Sequence, residues 1–213
     1  MPHEELQDTV AKFMKKIFHA DMIRDIPVTV NGRQELIDGV CVTRHGAFVV
    51  WNSDPPLEPG KSDHYKGNLD GKWAECTQAY DKTDKVRTLA GETPVQINRA
   101  RMNALRENPL VTVNGEPIPE NEISSLVVLR RSFEFVCDPP TGKKEDELPP
   151  IRSDSDTPAA CNFKDTMAIC MAGTDPETGF RFIKKLLRKY KAFDKKDRGE
   201  LYKAILSLKG NTI

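Results

Sequence analysis

The chain has no pair of cysteines at CxxC spacing, no apolar run long enough to cross a bilayer, and no excess of either charge. Each absence removes a class of protein. The five cysteines, Cys41, Cys76, Cys137, Cys161 and Cys170, are odd in number, and Cys41 and Cys170 sit inside the apolar runs VCV and MAICM. A reduced thiol in such a place behaves as a small core residue. A disulfide framework and a zinc knuckle are therefore excluded, and a reducing, cytoplasmic setting is expected. The first residues, MPHEELQDTV, are charged and form no apolar targeting segment, so no membrane partner is expected. The motifs GxGxxG, GxxxxGK[ST], GxSxG and HExxH are missing too. Nucleotide-dependent, acyl-transfer and zinc-hydrolase chemistries thus have no residues to carry them.

Charge is abundant but balanced: 32 Lys and Arg stand against 32 Asp and Glu in 213 residues. A neutral total leaves the distribution to decide. Between Arg181 and Lys209 there are eleven Lys and Arg against three Asp and Glu. This segment is either a solvated helix face or a surface for an acidic partner.

Periodicity divides the rest. Leu6, Val10, Phe13, Met14 and Ile17 recur at helical spacing and predict a helix over 3–19. Residues 26–30 form a β-branched run closed by Asn31-Gly32, a strong hairpin signal. Residues 36–43 and 47–51 read as the next two strands. Residues 52–72 are rich in Pro, Gly and Asp and read as a surface excursion, while 73–88 contain helix formers without clear periodicity. Thr93-Pro94 opens a helix with Val95, Asn98, Met102 and Leu105 on one face. A buried strand follows at 125–129, and 131–137 either extend it or form another. Residues 138–158 are rich in Pro, Asp and Ser and read as a mobile insertion. A strand at 166–171 and helices at 177–193 and 198–208 close the pattern. The order is α-β-β-β-α-β-β-α, a mixed sheet flanked by helices, of the α/β or α+β class.

Six segments together point further: Glu5 in the first helix, Ile37-Asp38-Gly39-Val40-Cys41-Val42, the turn and strand from Thr43 to Val50, Gly71-Lys72-Trp73, Thr93-Pro94-Val95-Gln96, and the strand from Ser125. In this order they resemble the nuclease-related domain (NERD) group of the PD-(D/E)XK restriction-endonuclease-like superfamily. The resemblance implies an α/β, restriction-endonuclease-like fold with a mixed sheet of four or five strands between helices. It implies a nuclease-like core at 1–137, a Pro- and acid-rich insertion at 138–160, and a strand plus basic helices at 161–213 completing the same domain.

The family's chemistry uses two carboxylates on adjacent strands to hold magnesium or manganese, with a lysine two residues past the second. Asp38 matches the first carboxylate. Trp51 stands at the position of the glutamate and Ser53 at that of the lysine. Tryptophan offers no oxygen to a hard cation and serine no positive charge, so the site is expected to be catalytically degenerate. Gln96 and Glu5 match the family's remaining site positions. Asp54, Glu5 and Glu35 are the acids, and Lys61 and Lys66 the lysines, that would rebuild a metal centre. In that case Asp38 and Asp54 would hold magnesium or manganese; otherwise no cofactor is expected. The expected function is binding of nucleic acid or protein on a nuclease-like fold, with a metal-dependent nuclease as the alternative and the question of enzyme status left open. A nucleic-acid surface, for DNA or RNA, would use Arg99, Arg101, Arg106, Lys184, Lys185, Arg188 and Lys189. Trp51 reads as rim packing or as a platform for stacking a base. Trp73, His45 and His64 read as ordinary packing and loop residues.

Overall fold

A computed structural model describes residues 3–51, 64–68, 75–78, 85–87, 94–129, 132–136, 151–152, 160–163, 166–170, 176–188 and 192–210. Helix α1 (His3–Phe13) widens into a single π-helical stretch, Met14–Phe18, and stops at His19, whose φ of 54° is left-handed. Strands β1 (Met22–Val30), β2 (Arg33–Thr43) and β3 (Gly46–Trp51) follow as an antiparallel meander. The first turn needs two left-handed residues, and Asn31 (φ 49°) and Gly32 (φ 76°) supply them.

Helix α2 (Pro94–Arg106) comes after three short strands, β4 (His64–Asn68), β5 (Glu75–Gln78) and β6 (Lys85–Arg87). A small hairpin, β7 (Thr112–Val113) and β8 (Glu116–Pro117), leads to β9 (Ile123–Leu129) and β10 (Ser132–Val136). Then come β11 (Ile151–Arg152), β12 (Ala160–Phe163), β13 (Thr166–Cys170), α3 (Pro176–Leu187) and α4 (Lys195–Ser207). The main sheet has six strands in the order β1-β2-β3-β9-β13-β12. Strands β3, β9 and β13 are parallel, and the two flanks are antiparallel.

The apolar residues fall into two clusters, one for each face of this sheet. Ile26, Ile37, Val40, Val49 and Ile123 pack with Met102 and Leu105 of α2 and with Leu201 and Ile205 of α4. Cys41, Phe48, Val50, Leu126 and Ile169 pack with Leu6, Val10 and Met14 of the N-terminal helix and with Phe180, Ile183 and Leu187 of α3. The result is helices on both faces of a mixed sheet, the α/β class. Among the described residues no helix is long and apolar enough to cross a membrane. Cys41 is fully buried and unpaired, and burial pushes its thiol far above the ordinary range, so it is an inert core residue.

Several expectations are corrected. The sheet is wider than four or five strands, and a second sheet of five, in the order β11-β10-β4-β5-β6, accompanies it. Of the two readings of 131–137, the separate strand is the one formed, and residues 132–136 pair in parallel with β4. The stretch 73–88, ambiguous in sequence, contributes two strands. Helix α3 stops at Leu187, short of residue 193, because the chain changes face there. Leu187 packs on the α1 side of the sheet and Phe193 on the α2 side. A continued helix could not reach both. The crossing is pinned where Phe193 donates its N–H to the Arg44 carbonyl at 2.6 Å. The expected insertion at 138–160 falls outside the described residues except for 151–152 and 160.

One polar side chain stands inside this apolar construction. Asn98 of α2 is completely buried and donates to the Ser125 hydroxyl at 2.6 Å and to the Val49 carbonyl at 3.1 Å. Val49 and Ser125 are partners across the β3–β9 ladder, so one amide ties the crossover helix to both strands it connects. Replacing Asn98 by Ala should lower unfolding stability by about 1–3 kcal/mol, since two buried acceptors lose their donor. Urea denaturation would check this, and an unchanged midpoint would show that the amide contributes nothing.

Candidate functional site

Strands β3, β9 and β13 all end at one edge of the sheet, and ligands of open α/β sheets bind outside such carboxyl ends. Asp38 belongs to that edge. Gly39 pairs with Val50 at the last rung of the β2–β3 ladder, and Asp38 and Trp51 are the next residues along the two strands. On the other side Trp51 pairs with Val127. Asn98 fixes α2 at the Val49–Ser125 rung, which brings the start of the helix, and Gln96 with it, toward the Trp51–Val127 rung. Helix α1 approaches from the other face. Its Asp8 accepts from Arg24 at 2.7 Å, and Arg24 pairs with Gly39. Glu5 lies about one turn earlier in α1 and is exposed. The backbone therefore brings Asp38, Trp51 and Gln96 toward one edge, while Ser53, Asp54, Lys61 and Trp73 lie outside the described residues. Lys66 and His64 lie in β4, in the second sheet.

Asp38 also marks an irregularity that its sequence does not announce. Ile37 and Val40 both belong to the α2-side cluster, although strict alternation would put them on opposite faces. Ile23 and Ile26 show the same slip in β1. The paired register passes from Arg24–Gly39 to Ile26–Ile37 without a pair between Asp25 and Asp38. Asp25 holds a φ of 55°, unusual for a residue inside a strand. The half-buried Asp38 thus lies at the slip, between Ile37, which pairs with Ile26, and Gly39, which pairs with Arg24 and Val50. Nothing but a run of alternating residues interrupted by an aspartate, IRDIPV, signals this in the sequence.

The expected phosphate-binding arginines are already engaged. Arg101 bonds Glu35 at 2.9 Å, and both side chains are largely shielded. Arg106 lies 3.4 Å from Glu120 and 3.6 Å from Glu107. Arg99 is half-buried. In α3, Arg181 is held by Glu177 at 2.6 Å, and Lys184 donates to the Ile17 carbonyl at 2.5 Å. Lys185 and Arg188 are exposed, and Lys189 lies outside the described residues.

A metal fits this edge poorly. Among the described residues no three His, Cys, Asp or Glu side chains gather to hold an ion. Tryptophan, the residue at position 51, has no oxygen to offer a hard cation. No family model, curated protein sequence or solved structure matches the chain.

At the opposite end of the sheet, His45 sits half-buried in the β2–β3 turn. Burial, followed by the charges of Arg44, Arg188 and Lys184, holds its imidazole below the ordinary value of 6.5. The folded state therefore favours the neutral ring. The unfolded chain binds the proton more readily, so stability is full above pH 6.5 and is lost as pH falls through that value. Replacing His45 by Gln should flatten this part of the stability curve. Urea midpoints measured from pH 8 to about 5 would show it, and parallel curves for the two proteins would contradict it.

Proposed function

We propose that the chain is a catalytically degenerate protein of the restriction-endonuclease-like type, acting by binding rather than by phosphodiester hydrolysis. The observation that carries this reading is that Asp38 and Trp51 each lie one residue beyond the Gly39–Val50 rung, at the carboxyl edge of the parallel strands. The order of elements supports it. A helix, a three-stranded antiparallel meander, a crossover helix and a strand parallel to the third are what the resemblance implies. The reading assigns Asp38 as the remaining carboxylate of a former metal pair. A single carboxylate, without a second acid at position 51, cannot hold the cation that offsets the charge of a scissile phosphate.

The partner this reading favours is nucleic acid, DNA or RNA, contacted mainly through phosphate. The exposed basic groups of α3, Lys185 and Arg188, serve it better than the α2 arginines, since Arg101 and Arg106 face carboxylates. Binding of this kind weakens steeply with salt. A protein partner is the alternative, and salt-insensitive association would favour it. A divalent-metal-dependent nuclease with a carboxylate displaced around Asp38 is the other alternative.

Calorimetric titration with manganese separates these readings. Wild-type protein should not bind the ion, whereas Trp51→Glu with Ser53→Lys should gain binding that Asp38→Ala removes again. Circular dichroism would establish that each variant is folded. Wild-type binding abolished by Asp38→Ala or Asp25→Ala would overturn the degenerate reading in favour of a rebuilt site.

A further inference from the structure

We propose that Asn31 is a site of spontaneous deamidation in the folded protein, and that Asp197 and Glu200 protect Asn114 from the same reaction. The chain contains two Asn-Gly steps, Asn31-Gly32 and Asn114-Gly115, and each follows a valine. Each is the two-residue turn of a hairpin, closed by the Val30–Arg33 pair in one case and by Val113–Glu116 in the other. Both turns are left-handed throughout, with φ of 49° and 76° in the first and 53° and 80° in the second. All four residues are exposed, and a Cβ on either glycine would meet nothing within 4 Å. Local sequence, turn geometry and open space therefore give the two sites the same intrinsic reactivity.

The reaction needs water and no enzyme. The backbone nitrogen of the glycine attacks the asparagine Cγ and gives up its proton, a step that a side chain on the glycine would hinder. The Cγ–Nδ2 bond breaks, and the amide nitrogen leaves as ammonia. The cyclic imide that remains adds water at one of its two carbonyl carbons. Opening at Cγ leaves an aspartate. Opening at the main-chain carbonyl leaves an isoaspartate, whose backbone runs through the side chain. The net change replaces an amide –NH2 by –OH. Ring closure requires the asparagine to leave its turn conformation, so the rate follows how readily each turn opens.

Helix α4 separates the two sites. Asn114 donates its backbone N–H to the Glu200 carboxylate at 2.8 Å and its Nδ2 to the Asp197 carboxylate at 3.0 Å. The group that must leave is thus the group that Asp197 holds, and both bonds are of the charge-assisted kind. Among the described residues the Asn31 side chain has no hydrogen-bond partner. A hairpin with two residues in each strand is marginal by itself, so the two carboxylates of α4, more than the β7–β8 pairing, keep the second turn closed. They also disfavour the product, since a carboxylate at position 114 would face two others. At position 31 an isoaspartate would lengthen the turn that sets the register of β1 on β2. This inference does not depend on the nuclease-like reading, which concerns Asp38 and Trp51.

The test is to age the full chain in mildly alkaline buffer at physiological temperature, with a parallel sample in concentrated urea. Proteolytic fragments are then followed by mass spectrometry, which locates the small mass gain at each asparagine. In urea the two sites should react at similar rates. In the native protein Asn31 should react, and Asn114 should lag behind it by about tenfold or more, the cost of releasing a charge-assisted bond. Asp197→Ala and Glu200→Ala should each speed the reaction at Asn114 and leave Asn31 unchanged, with circular dichroism showing that the variants are folded. The comparison of native with urea-treated wild type needs no variant. Equal native rates at the two sites, a native Asn31 that does not react, or folded acid variants with Asn114 still protected would overturn the proposal.

Discussion

The parallel pairing of β3 with β9 is the constraint on which the rest of the fold depends. The first three strands form a meander that needs only short turns. A fourth strand laid parallel to the third cannot be reached that way, and the chain must carry a helix across one face first. That helix has to stay registered with both strands it connects, and apolar packing alone specifies position loosely along a helix axis. Asn98 supplies the missing specification, because its amide reaches Val49 and Ser125, which face each other in the ladder. A buried amide of this kind is costly in any other register, since its acceptors would lose their donor in a dry interior. The same crossover decides which edge of the sheet collects the ends of β3, β9 and β13, and so where Asp38 and Trp51 come to lie.

Much of this architecture was legible before any coordinates. The helical period of Leu6, Val10 and Met14, the Asn31-Gly32 turn, and the β-branched runs around Val40 and Val49 each state a local preference that packing then reinforces. Asn98 was legible as a member of an apolar helix face but not as a clamp, because its partners are 27 and 49 residues away. The strands β5 and β6 were not legible either. Short strands take their pairing from neighbours distant in sequence, and neither carries an alternating pattern of its own. The early end of α3 escaped for a related reason. Residues 177–193 keep helical periodicity, but Phe193 belongs to the opposite face of the sheet, a fact set by topology alone.

The candidate site was legible as a deficiency rather than as a constellation. Trp51 and Ser53 were readable as the wrong residues for metal chemistry only because Asp38 and the strands around it resemble a metal-binding pattern. The ladder adds that Asp38 and Trp51 each follow directly on the Gly39–Val50 rung, which spacing between two strands joined by a turn can suggest but not fix. Asp25 was missed altogether. It stands at a phase slip shared by two paired strands, and a slip of this kind leaves no periodic trace in either strand read separately.

The two ends of the sheet differ in their charge, and the topology accounts for the difference. At the carboxyl edge stand Asp38 and Asp25, while Glu35 on β2 is met by Arg101 from α2. At the other edge the chain must pass from the α1 face to the α2 face between Leu187 and Phe193, and it does so beside the β2–β3 turn. That crossing carries the basic end of α3 to Arg44 and His45. A surface lysine or arginine is ordinarily free to move away from its like-charged neighbours. Here Lys184 is tied to the Ile17 carbonyl, while Thr43 and Phe193 fix the backbone of the turn, so both elements are anchored where the chain changes face.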